Sequence, residues 1–246
     1  MNIFIHIPKT AGTTVRDVLI KIIEKEIGFG TGFGTGFGTG LSSSYKKGNG
    51  TGHGTGYCRF SDDIGLGKDC WNNPVGIYTK FKTVGGHIPL FWFENLIGEA
   101  NKRNRRVRIY TVLRDPAERA YSDYRYIRNT ENHPRHYDAV NNDFCTYYSE
   151  LEEITNPACR YICGVPDYRY ALDTILVRAL RVGRAEDLTN FWRMLEMDFS
   201  TKIPKEIIPK LNEGEYSEVM TDKERRVAQE VDSEDCKLYN ALFINS

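Results

Sequence analysis

The sequence of 246 residues contains no apolar run approaching the roughly 18 to 20 residues that a membrane-spanning helix needs, so a helical membrane protein is excluded. It has no excess of either charge: 33 Lys and Arg stand against 33 Asp and Glu, a formal net charge of zero. A protein that binds nucleic acid or a membrane surface through a field of one sign is therefore disfavoured, and any anionic partner must be met by local clusters. The first eight residues, MNIFIHIP, lack the basic n-region and long apolar h-region of a secretory signal. Six cysteines (Cys58, Cys70, Cys145, Cys159, Cys163, Cys236) are too few for a disulfide scaffold in a chain of this length. Cys159 and Cys163, four apart, would share one helical face. They read either as half of a metal site or as buried or free thiols, and the thiol reading is favoured because no Cys-x-x-Cys or His pair completes a ligand set.

With 40% hydrophobic and 27% charged residues and a mean hydropathy of -0.49, the chain reads as globular, with enough length for one sizeable α/β domain over residues 1–246. Its 22 glycines are spread unevenly, a large share lying between Gly28 and Gly56. Gly28 to Thr39 is three exact repeats of Gly-Phe-Gly-Thr, and Gly48 to Gly56 continues in the same style. A four-residue period is too short for a solenoid unit, and alternating glycine makes helix or packed strand costly in backbone entropy. Residues 28–57 are therefore expected as a flexible low-complexity surface insertion. A glycine-rich phosphate cradle is the alternative, weakened because no helix start follows.

Ile3 to Ile7 reads as a buried strand, followed by Pro8-Lys9-Thr10-Ala11-Gly12-Thr13-Thr14 and then by helical apolar spacing at Val15, Val18, Leu19, Ile22 and Ile23. Tyr78 to Val84 is a second strand candidate, leading into Gly85-Gly86-His87, with a helix expected over Phe91 to Ala100. Val107 to Leu113 is the clearest internal strand. It stops at Arg114-Asp115-Pro116, where Asp115 suits an N-cap and Pro116 the first turn of a helix carrying Ala117 to Arg128. Beyond Asn141 the pattern is mostly helical, with Leu176 to Val182 the one later strand candidate. Strands alternating with helices predict a central parallel sheet flanked by helices.

Two constellations carry chemistry. A loop of small residues entering a helix points backbone N–H groups and the positive end of the helix dipole at one place. Lys9 adds a mobile charge, and Thr10, Thr13 and Thr14 add hydroxyls. The loop resembles a phosphate-binding P-loop but lacks the Gly-x-x-x-x-Gly-Lys-[Ser/Thr] order, and an ordinary strand-to-helix turn with a capping threonine is the plainer reading. The second constellation, Arg114, Arg119 and Ser122, also follows a strand. In a parallel sheet the two loops share one edge, so a ligand with two separated anionic groups is implied.

Taken together, HIPKTAGTT (His6 to Thr14) and LRDPAERAYSDYRY (Leu113 to Tyr126) resemble the sulfotransferases that use 3′-phosphoadenosine 5′-phosphosulfate (PAPS), in the branch of the heparan sulfate 2-O and 6-O enzymes. Asn156 to Gly164, Val182 to Phe191 and Asp235 to Leu242 look like later blocks of that branch, while the glycine-rich insertion departs from it. The resemblance implies a P-loop-like sulfotransferase fold and a PAPS-dependent O-sulfotransferase that needs no metal. It implies that Lys9, Thr10, Ala11, Gly12, Thr13 and Thr14 hold the 5′-phosphosulfate, with Lys9 near the leaving oxygen. Arg114 and Ser122 would hold the 3′-phosphate. His87 stands where the family places its catalytic base, after the second core strand, and a neutral imidazole suits that task near pH 7. His6 reads as packing, and nothing is assigned to His53, His133 or His136.

The acceptor implied is a carbohydrate. Alternatives are sulfation of a small alcohol, phenol or lipid, a P-loop kinase-like nucleotide enzyme, or a glycan-binding relative without activity. Basic residues from Lys102 to Arg108, with Arg125 and Arg128, would suit an anionic glycan or simply form a solvated face. Tyr121, Tyr124, Tyr126, Trp92 and Phe93 would stack on sugar rings or belong to the core. A strand beginning at residue 2 or 3 leads to the expectation of a cytoplasmic microbial or viral enzyme, or else a Golgi catalytic domain whose anchor has been removed.

Overall fold

The computed structural model describes residues 1–26, 57–60, 72–76, 81, 83–151, 155–208 and 219–244. The repeat segment 28–56 lies outside these residues, as do Cys70, Lys82 and positions 78–80 of the expected second strand.

Among the described residues five parallel strands form one sheet in the order β2-β3-β1-β4-β5: β1 (Asn2–Ile5), β2 (Tyr57–Phe60), β3 (Thr83–Gly86), β4 (Arg108–Leu113) and β5 (Arg181–Arg184). The expected α/β class with a central parallel sheet is what the chain adopts. β1 is apolar on both faces because both are covered, as parallel sheets require. Ile3, Ile5 and Ile7 pack against the helices α2 (Glu94–Lys102) and α6 (Pro157–Cys163). Phe4 faces α1 (Gly12–Glu26) and α8 (Thr189–Phe199) with Tyr110 and Val112. β1 sits between β3 and β4, and the chain runs toward β2 and β3 on one side and β4 and β5 on the other. The loops after β1 and β4 therefore flank the switch point, where ligands of such sheets bind.

Several boundaries differ from the sequence expectation. Tyr57, expected as the end of the insertion, opens β2, so the strand before His87 is third in the chain rather than second. That strand is Thr83–Gly86, and its two glycines lie inside it, buried between neighbours rather than in the turn. Leu176 and Val177, expected in a strand, close α7 (Tyr168–Val177) and are 67% and 84% exposed. The Asp167 carboxylate caps that helix by accepting from the amides of Arg169 and Tyr170, and helix propagates through the apolar pair before β5 begins. Asp115 caps α3 (Pro116–Arg128) as expected, accepting from the Glu118 amide.

The helices α4 (His136–Asn141), α5 (Phe144–Ser149), α9 (Asp222–Val231) and α10 (Ser233–Phe243) complete the helical side. Here Asp235 of α10 accepts from the amides of Ala158 and Cys159, each at 2.8 Å. Burial, then the neighbouring Asp232 charge, raises its carboxyl from 3.8 to about 6. Between those values the folded chain keeps a proton that the unfolded chain has released, so the Asp235 contribution to stability falls as pH rises through that window. Urea unfolding of wild type and Asp235→Asn at pH 4 and pH 7 checks this. The difference between the two proteins should shift against the wild type by about 2 kcal/mol on going to pH 7.

Among the described residues no helix is long and apolar enough to cross a membrane.

Candidate functional site

The loop after β1 reaches the first turn of α1 in six residues. Two of them, Lys9 (φ 66°) and Ala11 (φ 59°), occupy the left-handed region without being glycine, a conformation that costs about 1–3 kcal/mol per residue and persists where surroundings enforce it. One enforcing contact is internal: the Thr10 hydroxyl donates to the Ile7 carbonyl at 2.8 Å. That hydroxyl is thus engaged inward, and Thr10 is buried, as is Thr14, while Thr13 is exposed. No acidic residue lies in the first turn of α1, so the positive end of a 15-residue helix is left without a carboxylate of its own.

The loop after β4 meets this one. Arg114 Nη1 lies 3.5 Å from the Lys9 carbonyl oxygen, and Arg114 Nη2 lies 3.9 Å from a carboxylate oxygen of Glu118. The Lys9 ammonium stands 4.3 Å from the centre of the Tyr126 ring. Glu118, Ser122 and Tyr126 are four apart along α3 and share one face. Since the first touches Arg114 and the last touches Lys9, half-buried Ser122 is carried on the face turned toward the two basic residues. Burial lowers the Lys9 ammonium from its ordinary value; the Asp123 charge opposes this, and the Arg114 and Arg125 charges add to the lowering. A half-buried cation crowded by two guanidiniums gains from an arriving anion.

Arg119, grouped with Arg114 and Ser122 in the sequence, belongs elsewhere. It is 4% exposed and pairs with Asp232 at 2.9 Å and the Tyr148 hydroxyl at 2.6 Å. The cause is helical phase: Arg119 falls on the side of α3 that packs on α5 and α9.

His87 follows β3 on the same sheet edge and is half-buried, with its carbonyl 3.5 Å from the Tyr161 hydroxyl. Its ring centre lies 3.9 Å from that of His6. His6 is buried as expected, yet it is also beside the candidate base, a neighbourhood that strand alternation alone does not reveal. A Cβ added to Gly12 would fall 1.9 Å from His6 Cδ2 and 2.1 Å from Nε2. Gly12 is therefore required because the imidazole occupies the space of its missing side chain. Gly12→Ala should destabilise the fold by about 1–3 kcal/mol, measured by urea unfolding. The same change should displace the His6 ring.

Other candidates disperse. Lys102 to Arg108 sit at the opposite edge, where β4 begins, and Arg108 pairs with Asp198 at 3.2 Å. Tyr121, Tyr124 and Phe93 are core, and Trp92 is partly buried against it; Tyr126, 45% exposed, is the one of the five that faces solvent beside Lys9. Burial raises the thiols of Cys159 and Cys163, and both are free. Among the described residues no three of His, Cys, Asp and Glu group as metal ligands.

No family model matches the chain, and no curated protein matches it in sequence. Among solved structures it is similar to mouse sulfotransferase SULT7A1 complexed with PAP, at 12% identity and a TM-score of 0.41 over 100% of this chain and 85% of that one. A likeness of that depth carries no conclusion about activity, and the heparan sulfate branch is not singled out.

Proposed function

We propose that the chain is a PAPS-dependent O-sulfotransferase whose acceptor is a carbohydrate hydroxyl. The observation that supports it most directly is the meeting of two basic loops at the switch point, Arg114 Nη1 lying 3.5 Å from the Lys9 carbonyl beside the start of α1. Two cations and a helix N-terminus suit a ligand with anionic groups at both ends, and such a ligand opposes the burial and the Arg114 and Arg125 charges that lower Lys9. The donor supplies a sulfuryl group joined to a phosphate leaving group.

The residues divide the work by position. The amides of Thr10 to Thr14 and the Thr13 hydroxyl receive the 5′-phosphosulfate, and Lys9 balances charge on the departing phosphate oxygen. Arg114 offers a planar fork to the 3′-phosphate, assisted by Ser122 from α3. His87 accepts the proton that the acceptor hydroxyl releases as its oxygen bonds to sulfur. Positioning by two rigid strand ends accounts for much of the remaining barrier lowering. Tyr126, exposed beside Lys9, offers a ring on which a sugar stacks.

Incubation with radiolabelled PAPS and a panel of glycans and small alcohols tests the reading, with ATP as the competing donor. Transfer to glycans is expected. Transfer to small alcohols or phenols alone would replace the acceptor class, and phosphoryl transfer from ATP would replace the reaction. Arg114→Ala should weaken 3′-phosphoadenosine 5′-phosphate (PAP) binding about 10- to 100-fold, the worth of one or two hydrogen bonds to a charged group. Unchanged affinity would remove Arg114 from the site.

A further inference from the structure

We infer that His6 is a positioning residue that sets the distance between the anion loop and the base, an inference that rests on the reading of His87 as that base. His6 is the residue just past β1, and its amide donates to the Gly86 carbonyl at 2.9 Å. The β1–β3 ladder, in which Ile5 faces Gly86, thus runs on to the residue directly before His87. The backbone of His6 is tied to the strand that delivers the base.

Its side chain is fixed on three sides. The His87 ring lies at 3.9 Å between centres with planes 30° apart. The Phe4 ring stacks at 5.7 Å and 22°. On the remaining side is Gly12, the first residue of α1, whose absent Cβ would overlap the imidazole. At 6% exposure the ring has little room to move without moving one of these neighbours. One imidazole is therefore the spacer between the helix start that faces the donor and the histidine that faces the acceptor. In-line transfer needs both at a fixed separation, and a misplacement of about 1 Å costs up to about 100-fold in rate.

His6 touches neither substrate in this arrangement, so its removal should lower kcat and leave donor affinity largely intact. Four proteins test this: His6→Ala, His6→Phe, His87→Ala and the double variant His6→Ala/His87→Ala, each with kcat, KM, PAP affinity and Tm measured. His6→Ala should lose about 10- to 100-fold in kcat with PAP affinity within about threefold of wild type. His6→Phe, which keeps a flat ring and guards against simple loss of folding, should recover most of that loss. With His87 already removed, His6→Ala should cost less than about twofold more, because the two residues act as one unit.

Losses that multiply in the double variant would overturn the inference. So would a fall in PAP affinity as large as the fall in kcat, or a His6→Phe variant as slow as His6→Ala while folded. Wild-type protein that transfers no sulfuryl group would instead overturn the proposed function, and this inference with it.

Discussion

Asp232→Ala should lower the free energy of unfolding by about 3–5 kcal/mol, the cost of leaving a buried charge without its partner. Asp232 is fully buried. One carboxylate oxygen accepts from the Tyr148 hydroxyl at 2.6 Å and from Arg119 Nη2 at 2.9 Å, and the other accepts from the Asn156 amide at 2.7 Å. A single side chain thus joins α3, α5 and the start of α6 to the junction of α9 and α10. Removing it strands the Arg119 guanidinium at 4% exposure, with the Tyr148 hydroxyl as its remaining partner among these groups. Arg119→Met should cost less, because Asp232 keeps two donors. The double variant Arg119→Met/Asp232→Leu should recover part of the loss, since an apolar pair of similar volume often replaces a buried ion pair without penalty. Urea unfolding of Arg119→Met, Asp232→Leu and the double variant measures the coupling. A loss under about 1 kcal/mol for Asp232→Ala would show that water reaches Arg119 when the carboxylate is gone.

That network also shows where the sequence stops being informative. Arg114 and Arg119 are five residues apart, with Ser122 close behind, and the sequence does not say which side of α3 will be covered. Arg119 falls on the side that packs on α5 and α9, where Asp232, more than a hundred residues later, meets it. By contrast, the strand ends that carry Lys9 and Arg114 are legible. Ile3, Phe4 and Ile5 make β1 apolar on both faces, and Asp115-Pro116 marks the start of α3 by its own backbone chemistry.

The neighbourhood of His6 was half legible. Alternation along β1 puts it on the same face as Phe4, and it is buried there. Its contact with His87 depends on the parallel pairing of Ile5 with Gly86, a register that no local pattern encodes. Tyr126 likewise reads as one aromatic among several at helical spacing. Only the approach of the loop after β1 to α3 distinguishes it from buried Tyr121 and Tyr124. Leu176 and Val177 misled for the converse reason: an apolar pair before a true strand reads as part of it, and the Asp167 cap that extends the helix lies nine residues upstream of Leu176.

Lys9→Met should separate catalysis from stability most clearly. Methionine keeps an unbranched stem of similar reach and removes the charge. If Lys9 balances the leaving phosphate, kcat should fall about 100- to 1000-fold, the scale for losing one preorganised donor to a developing negative charge. The fold should not suffer. Burial works against the charged form of Lys9, as do the Arg114 and Arg125 charges, while Asp123 favours it; the balance lowers the ammonium below its ordinary value. A lysine lowered in the folded state carries a proton at neutral pH at some cost to stability, and the neutral side chain removes that cost. The Tm of Lys9→Met should therefore equal or exceed that of the wild type. Activity within tenfold of wild type would remove Lys9 from the reaction. A Tm lower by more than about 4 °C, the equivalent of roughly 1 kcal/mol or more in a chain of this size, would mean that the contact with the Tyr126 ring braces the loop. A slow enzyme with undiminished Tm is the result that a residue kept for chemistry, at the expense of local electrostatics, should give.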